Sequence, residues 1–287
     1  MITITNLTKT YKGNVQALRG LSLTIDGRMF GLLGANGAGK TTMMRIIAGL
    51  LRPTGGSVEV FGHDVTTSKG KLAIKSALGY LPQELGLYPS LTGREILDYI
   101  AILKGITDQR ERRQQIGRVL EQVRLEDVAD RKLKTYSGGM KRRVGIAQAL
   151  LGSPSLLIVD EPTAGLDPEE RVRLRNLLSD MDCTVILSTH IVEDISQSCS
   201  SLAVLDQGRV VYCGSPSDLI GQARNHVWQI TTQGERPNNG VAIVSTLQMQ
   251  NGVQYRVLGE PDKQYQAIPV EPSLEDGYIW LMQQARR

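Results

Sequence analysis

The sequence predicts an α/β fold in which helices cover a mainly parallel sheet, and three observations lead to it. Apolar runs at 29–33, 156–160 and 184–188 are typical of strands buried on both faces. A helical stretch from Pro168 to Leu178 separates the last two runs, as in alternating strand and helix units. The first run is followed by a glycine-rich turn and a helix predicted from about Thr41 to Leu50.

The residues around the first buried run predict an N-terminal antiparallel β region. Leu21, Leu23 and Ile25 alternate with polar neighbours, as do Val58 and Val60. This alternation is typical of strands with one buried face.

A helical subdomain is predicted from about 84 to 151, inserted between the strands. Apolar residues recur there at three- and four-residue spacing. The last helix of the stretch is expected to be amphipathic, with one apolar stripe formed by Met140, Val144, Ala147 and Leu151.

The composition changes after Gly221, and we expect residues 1–220 to form the main domain and 221–287 a small α+β appendage of unknown role. A turn is predicted at Pro237-Asn238-Asn239-Gly240. A closing helix is predicted to begin at Ser273, with Asp276 completing a start like a capping box.

Composition excludes several classes of protein. The chain of 287 residues has 33 basic and 29 acidic side chains, a balance of +4, which is too small for a nucleic-acid-binding signature. Its three cysteines are far apart, which argues against a disulfide framework and favours a reducing compartment. Neither a membrane-spanning run nor a signal peptide is recognisable, so the chain is expected not to cross a membrane by itself.

The glycine-rich turn fits the phosphate-loop pattern G-x-x-x-x-G-K-[ST]. It reads Gly34-Ala35-Asn36-Gly37-Ala38-Gly39-Lys40-Thr41. Glycines let backbone amides approach phosphate oxygens, and the following helix directs its positive end at the same anion. Lys40 would reach the β- and γ-phosphates, and the Thr41 hydroxyl would help to hold Mg²⁺. The alternative is a purely structural glycine turn.

Two carboxylates follow the four apolar residues at 156–159, at the end of the strand where open α/β sheets bind ligands. Asp160 would hold Mg²⁺ through its water shell, and Glu161 would act on the attacking water as a general base. The alternative is a strand that ends in a polar turn.

A second helix start suited to anions is predicted at Ser137, in the run Tyr136-Ser137-Gly138-Gly139-Met140-Lys141-Arg142-Arg143. Ser137 is a good N-cap, and the two glycines expose further amides. One nucleotide does not need two such helix starts from one chain, whereas two chains facing head to tail would use both.

The sequence resembles the nucleotide-binding subunit of an ABC (ATP-binding cassette) transporter over residues 1 to about 220. Gly34 to Thr41 matches Walker A, Asp160 and Glu161 match Walker B with its catalytic glutamate, and Ser137-Gly138-Gly139 matches the family signature. The resemblance implies a P-loop NTPase core with ATP and Mg²⁺ as cofactors.

The remaining motifs of the family occur in its order. Gln83 matches the Q-loop glutamine, which senses Mg²⁺ and the attacking water, and Asp167 closes a D-loop-like Ala164-Gly165-Leu166-Asp167. His190 matches the switch histidine at the γ-phosphate, and Tyr11 matches the aromatic residue that stacks on adenine. Alone, either of the last two would fit ordinary packing.

The resemblance therefore implies three sets of site residues. Those implied to contact the nucleotide are Tyr11, Gly34, Asn36, Gly37, Ala38, Gly39, Lys40, Thr41, Thr42, Ser137, Gly138, Gly139 and Asp167. Those implied to hold Mg²⁺ are Thr41, Gln83 and Asp160. Those implied to act in catalysis are Lys40, Gln83, Glu161 and His190.

Two positions depart from the family pattern. Ala35 stands where proline is commoner, and Met140 stands where the signature often has glutamine. The first should matter little because backbone amides bind the phosphates, and the second makes that corner less polar. Lys40, Glu161 and His190 are all present, so an active ATPase is expected.

The resemblance also implies partners and a location. Two copies would enclose two ATP molecules head to tail, and a separate transmembrane permease would move the cargo at the cytoplasmic face of the cell membrane; nucleic acid is not expected as a partner. Leu85, Leu87 and Tyr88 either contact that permease or pack in the core. The segment Pro272-Ser273-Leu274-Glu275-Asp276-Gly277-Tyr278 resembles a stretch of bacterial drug and antibiotic exporters, which favours export.

Two other functions remain open at this point. A soluble ABC-type ATPase acting on ribosomes or nucleic acid usually carries two cassettes or a coiled-coil insertion, and neither is recognisable in the sequence. A nucleotide-dependent regulatory protein would bind ATP without a membrane partner.

Overall fold

The computed structural model describes residues 1–237 and 240–285, which divide into two compact units, Met1–Cys213 and Gly214–Arg287. The boundary predicted near residue 220 falls inside a helix, Pro216–Gln222. The turn predicted at Pro237-Asn238-Asn239-Gly240 lies partly outside the described residues.

The first unit contains two sheets. Its strands are β1 (Ile2–Tyr11), β2 (Val15–Ile25), β3 (Met29–Leu33), β4 (Gly55–Val60), β5 (His63–Asp64), β6 (Leu78–Leu81), β7 (Leu156–Asp160), β8 (Thr184–Thr189), β9 (Ser201–Asp206) and β10 (Arg209–Gly214), the last ending at the boundary of the unit. One sheet has the order β2-β1-β4-β5, and its paired strands are antiparallel. Leu21, Leu23 and Ile25 are buried on alternate positions, so the predicted antiparallel region is confirmed.

The second sheet has the strand order β10-β9-β3-β8-β7-β6. β3 pairs in parallel with β8 and β9, and β7 pairs in parallel with β6 and β8, which confirms the predicted mainly parallel sheet. In this register Leu33 lies opposite Thr189, and Asp160 lies opposite Ser188. The carboxyl ends of β3, β7 and β8 therefore meet at one edge, and the residues that follow them are brought together there.

The α-helices of this unit are α1 (Lys40–Ile47), α2 (Ser68–Ala77), α3 (Gly93–Leu103), α4 (Gln109–Gln122), α5 (Gly138–Leu150), α6 (Pro168–Ser179) and α7 (Val192–Ser198). Of these, α2, α5 and α7 contact strands of the parallel sheet, whereas α3 and α4 pack against each other and against α5. The stretch predicted as helical from about 84 to 151 contains α3, α4 and α5. The first helix ends at Ile47 and not at Leu50, because Gly49 adopts the left-handed conformation that terminates helices.

The predicted amphipathic character of α5 is wrong. Its buried residues, which are Gly139, Arg142, Val144, Gly145, Ile146, Ala147, Ala149 and Leu150, occur on nearly every side of the helix. The reason is its position, since α5 contacts α3 and α4 as well as strand β6. A helix enclosed on all sides has no polar face to reveal it in the sequence.

In its described residues, the second unit is a four-stranded sheet with two helices. Its elements are α8 (Pro216–Gln222), β11 (Val227–Thr232), β12 (Ala242–Met249), β13 (Gly252–Leu258), β14 (Ala267–Pro269) and α9 (Leu274–Ala285). The strand order is β12-β13-β11-β14, all paired antiparallel. α8 contacts α9, and the His226 ring stacks on Trp280 with centroids 4.2 Å apart.

The predicted start of α9 is confirmed. The Ser273 backbone amide donates to Asp276 Oδ2 at 2.6 Å, and the Asp276 amide donates to Ser273 Oγ at 3.3 Å. Asp276 is fully buried and also accepts hydrogen bonds from Arg256, at 3.0 Å from Nε and 2.6 Å from Nη2. This ion pair joins α9 to β13 within the unit.

We expect Asp276→Asn to lower the free energy of unfolding of the second unit by about 3 kcal/mol, because it leaves Arg256 without its counter-charge. Both tryptophans of the chain, Trp228 and Trp280, lie in this unit, so tryptophan fluorescence during urea unfolding of the full chain reports on it. Glu275→Gln is the matched control, since it removes one negative charge from an exposed neighbour. Its effect should stay within about 0.5 kcal/mol.

The same variant has a defined pH dependence. Burial alone would raise the pKa of Asp276, but hydrogen bonds from Arg256 and Ser273 outweigh it and hold that pKa below its ordinary 3.8. The stabilisation is therefore present above about pH 3.8 and is lost as the pH falls through the folded-state pKa. The difference between parent and variant should shrink as the pH falls below 3.8, and an unchanged difference would contradict this origin.

Candidate functional site

The glycine-rich loop connects β3 to α1, and two of its glycines are required by close contacts. A methyl group at Gly34 would lie 2.4 Å from the Leu205 carbonyl oxygen. Gly39 has a φ of +105°, and a methyl group there would lie 2.8 Å from the Ala17 carbonyl oxygen. The loop backbone therefore packs directly on its neighbours, with the N-terminus of α1 at its end.

Lys40, the first residue of α1, bends back over the loop. Its side-chain Nζ donates to the carbonyl oxygens of Gly34 at 2.6 Å and Ala35 at 3.2 Å, and lies 3.6 Å from Glu161 Oε1. The residue is only 5% exposed. Burial lowers the pKa of Lys40, while the carboxylates of Glu161 and Asp160 oppose that change. A phosphate at the loop would offer this ammonium group a charged acceptor.

Asp160 and Thr41 form a pair of oxygen donors beside the loop. The Thr41 hydroxyl donates to Asp160 Oδ2 at 2.9 Å. Among the described residues, buried Asp160 Oδ1 has no hydrogen-bond partner. Burial raises the pKa of Asp160, and the hydrogen bond from Thr41 works against the rise. A hydroxyl and a buried carboxylate with an unsatisfied oxygen are a donor set that suits Mg²⁺.

Glu161 follows β7 and is held by two contacts. Its amide donates to the Ser188 carbonyl oxygen at 2.9 Å, which extends the pairing of β7 with β8 by one residue. Its Oε2 lies 2.6 Å from His190 Nδ1. Glu161 also has a φ of +50°, a left-handed conformation that is uncommon for a residue with a side chain. The structure thus places both His190 and Lys40 against the Glu161 carboxylate.

A cavity of about 370 Å³ surrounds the loop and has a size typical of small-molecule sites. It is lined by Tyr11, Val15, Ala17, Ala35, Asn36, Gly37, Ala38, Gly39, Lys40, Thr41, Thr42, Gln83 and Glu161. The Tyr11 hydroxyl lies 3.2 Å from Thr42 Oγ1, and its ring is 40% exposed. These residues combine an aromatic and aliphatic end with a polar phosphate-loop end.

Val15 and Ala17 also line the cavity, although the sequence did not predict them as site residues. Val15 is 62% exposed and lies opposite Tyr11 in the register of β1 and β2. The available signal was an apolar residue at the start of a strand, four residues after the tyrosine. It becomes informative only when the hairpin register is known.

The second helix start is built as predicted at Ser137, whose Oγ accepts from the Met140 amide at 3.1 Å. A methyl group at Gly139 would lie 2.7 Å from the Glu170 carboxylate, so α5 begins close against α6. Asp167 caps α6 by accepting from the Glu170 amide at 2.9 Å.

These residues do not meet the phosphate loop within one chain. Among the described residues, the lining of the cavity includes none of Ser137, Gly138, Gly139 and Asp167. The structure therefore groups the predicted site residues into two sets, one around the loop and one at the start of α5.

The segment after β6 is partly packed and partly exposed. Gln83 lines the cavity. The Leu85 side chain packs on α5, where a methyl group at Gly145 would lie 2.6 Å from it. Tyr88 is 54% exposed, and its ring meets Tyr99 of α3 edge to face at 6.3 Å. Leu85 and Leu87 are thus half-buried, and Tyr88 lies at the surface.

Comparison with known proteins identifies the family. The model of the family described as ABC transporter matches residues 18–164. The linearmycin resistance ATP-binding protein LnrL of Bacillus subtilis is 36% identical to this chain. The similarity covers 82% of this chain and 76% of the length of LnrL. The daunorubicin/doxorubicin resistance ATP-binding protein DrrA of Streptomyces peucetius is 38% identical to this chain. The similarity covers 80% of this chain and 69% of the length of DrrA.

The structure of this chain is also similar to that of a solved ATP-binding cassette. A dimeric post-hydrolysis state of an ATP-binding cassette bound to ADP and Pi is 30% identical, with a TM-score of 0.68 over 75% of this chain and 98% of that one. Within residues 1–237 and 240–285, every helix is too short or too polar to span a bilayer.

Proposed function

Because this chain belongs to the ABC transporter family and is an ATP-hydrolysing subunit of that family, we propose that two copies of it enclose two ATP molecules head to tail. The observation that carries the proposal is the separation of the two helix starts. The phosphate loop and α1 lie at the cavity, whereas Ser137, Gly138 and Gly139 lie outside its lining. A second copy would bring its own Ser137 against the γ-phosphate, and each site would then be complete.

The phosphate end of the site would work through groups that already lie together. Lys40 Nζ would exchange the Gly34 and Ala35 carbonyl oxygens for the β- and γ-phosphates. Thr41, Asp160 and Gln83 would hold Mg²⁺, which neutralises charge on these phosphates when bound.

The hydrolytic end would depend on Glu161. Its carboxylate would accept a proton from the attacking water, and His190 Nδ1 at 2.6 Å would hold that carboxylate in place. Tyr11 would stack on the adenine, with Val15 and Ala17 completing an apolar surface. Loss of the γ-phosphate would remove the charge that Ser137 and the start of α5 bind, and the two copies would separate.

The second partner we propose is a separate transmembrane permease, which would hold this subunit at the cytoplasmic face of the cell membrane. Tyr88, exposed beside the segment that carries Gln83, is a candidate contact for it. We propose export as the direction, because LnrL and DrrA are named as resistance proteins and the segment 272–278 resembles that of drug exporters.

The test is co-purification of the tagged chain from detergent-solubilised membranes, with its ATPase rate measured with and without DNA or RNA. We expect an integral membrane protein to co-purify and the rate to be insensitive to nucleic acid. Glu121→Gln, an exposed change on α4, serves as the handling control. Strong stimulation by nucleic acid without a membrane partner would instead support the soluble ATPase.

A further inference from the structure

Arg142 joins three parts of the site through one side chain. It lies on α5, five residues after Ser137, and is 8% exposed. Its Nη1 donates to the carbonyl oxygens of Pro82 at 3.3 Å and Gln83 at 2.9 Å. Its Nη2 donates to the carbonyl oxygen of Glu161 at 2.9 Å. A buried guanidinium thus holds the backbone of Gln83 and that of Glu161 at once.

The contact with Glu161 supports an unusual backbone. The Glu161 φ of +50° is a strained conformation and persists only where surrounding contacts enforce it. Arg142 binds the carbonyl of this residue, while the Ser188 carbonyl binds its amide. The direction of the Glu161 carboxylate, towards His190 and Lys40, therefore depends on Arg142.

A second contact attaches the same segment to the same helix. Gly145 lies three residues after Arg142, so the two are neighbours on one side of α5. The absence of a side chain at Gly145 makes room for Leu85, two residues after Gln83. The adjacent Arg143 bonds elsewhere, to the Val123 and Arg124 carbonyl oxygens. The link to Gln83 and Glu161 is therefore specific to one side of α5.

We propose that Arg142 is a positioning residue that couples the two ATP sites of the dimer. This inference rests on the proposed function, in which Ser137 at the start of α5 binds the γ-phosphate held by the other copy. Since α5 is a continuous helix enclosed by packing, a displacement at Ser137 carries Arg142 with it. Arg142 then moves Gln83 and Glu161, which belong to the chain's own ATP site.

Chemistry explains why arginine suits this position. The guanidinium presents donors on two nitrogens in a fixed plane and reaches carbonyls on both segments. The single ammonium of a lysine lacks that fork. Arg142→Lys should keep the charge and most of the packing but lose one of the two attachments, whereas Arg142→Gln should lose the charge as well.

The experiment compares ATP hydrolysis by the full-length parent, Arg142→Lys and Arg142→Gln. For the parent we expect a Hill coefficient approaching 2, the number of coupled sites. For both variants we expect a Hill coefficient near 1 and a kcat reduced about 10-fold or more, with ATP affinity by calorimetry within about twofold. In the Glu161→Gln background, both should still form the ATP-dependent dimer on size exclusion.

Lys104→Gln is the matched control for loss of a cation that bonds backbone carbonyl oxygens in the same helical region. Its Nζ bonds the Ala149 and Leu151 carbonyl oxygens at the other end of α5, and burial lowers the pKa of Lys104 to about 8. This variant should lose stability while keeping the parental Hill coefficient.

A double-mutant cycle separates coupling from simple damage. If Arg142 transmits the state of Ser137, then Ser137→Ala lowers kcat less in the Arg142→Lys background than in the parent. Additive effects of the two substitutions overturn the inference, and so do a parental kcat and a parental Hill coefficient in both Arg142 variants. Either result leaves the proposed ATP-dependent dimer unaffected. A parent that neither binds ATP nor dimerises overturns the proposed function and this inference with it.

Discussion

Glu161→Gln is expected to reduce the rate of ATP hydrolysis at least about 100-fold while leaving ATP affinity within about twofold. The amide is close in size to the carboxylate but cannot accept a proton from the attacking water. The phosphate loop, with Lys40 and the Thr41–Asp160 pair, would remain in place to bind the nucleotide. Because the γ-phosphate would persist, two copies should stay together.

Two measurements check this result. Phosphate release gives the rate, and size exclusion with ATP and Mg²⁺ should show a dimer that the parent forms only briefly. Glu121→Gln makes the same chemical change at an exposed position of α4 and should keep the parental rate. Hydrolysis by Glu161→Gln at the parental rate would show that another group is the base.

The second large effect is expected for Lys40→Ala, which weakens the binding of ATP. We expect ATP affinity to fall about 100-fold, which corresponds to roughly 2.7 kcal/mol for a charge-assisted contact made in a buried site. The change removes the cation that lies 3.6 Å from Glu161 Oε1. The site would then carry two carboxylates, Asp160 and Glu161, without the ammonium that offsets them.

Isothermal titration calorimetry with ATP and Mg²⁺ measures the change directly. Lys75→Ala removes the same charge from an exposed position on α2 and should bind ATP as the parent does. Circular dichroism of both variants shows whether either substitution causes a folding defect. Parental affinity in Lys40→Ala would count against the assignment of the phosphate loop.

Local signals made the parallel sheet predictable from the sequence. The run at 29–33 is a continuous apolar strand, and the glycines after it are needed where the backbone approaches the Leu205 and Ala17 carbonyls. The alternation at Leu21, Leu23 and Ile25 and the capped helix at Ser273 were likewise predictable from neighbouring residues. The sequence signal for each of these features lies within a few positions of the chain.

Features that depend on distant contacts were not predictable. The apolar stripe expected on α5 was wrong because three elements enclose that helix. Val15 joins the cavity only through its pairing with Tyr11. Arg142 lies in the basic run 141–143, a pattern typical of a solvent-exposed surface. It is nevertheless buried, and it donates hydrogen bonds to carbonyl oxygens 60, 59 and 19 residues away in the chain. No pattern in one sequence encodes such separations.

The enclosure of α5 also affects how this protein can change over generations. A surface helix tolerates substitutions on its solvent-exposed side. In α5, by contrast, buried residues between Gly139 and Leu150 occur on nearly every side of the helix. Replacement of one residue there requires compensation in whichever neighbour it touches. Divergence among descendants should therefore be slow and concerted along this helix, and variation should collect instead on partly exposed helices such as α4.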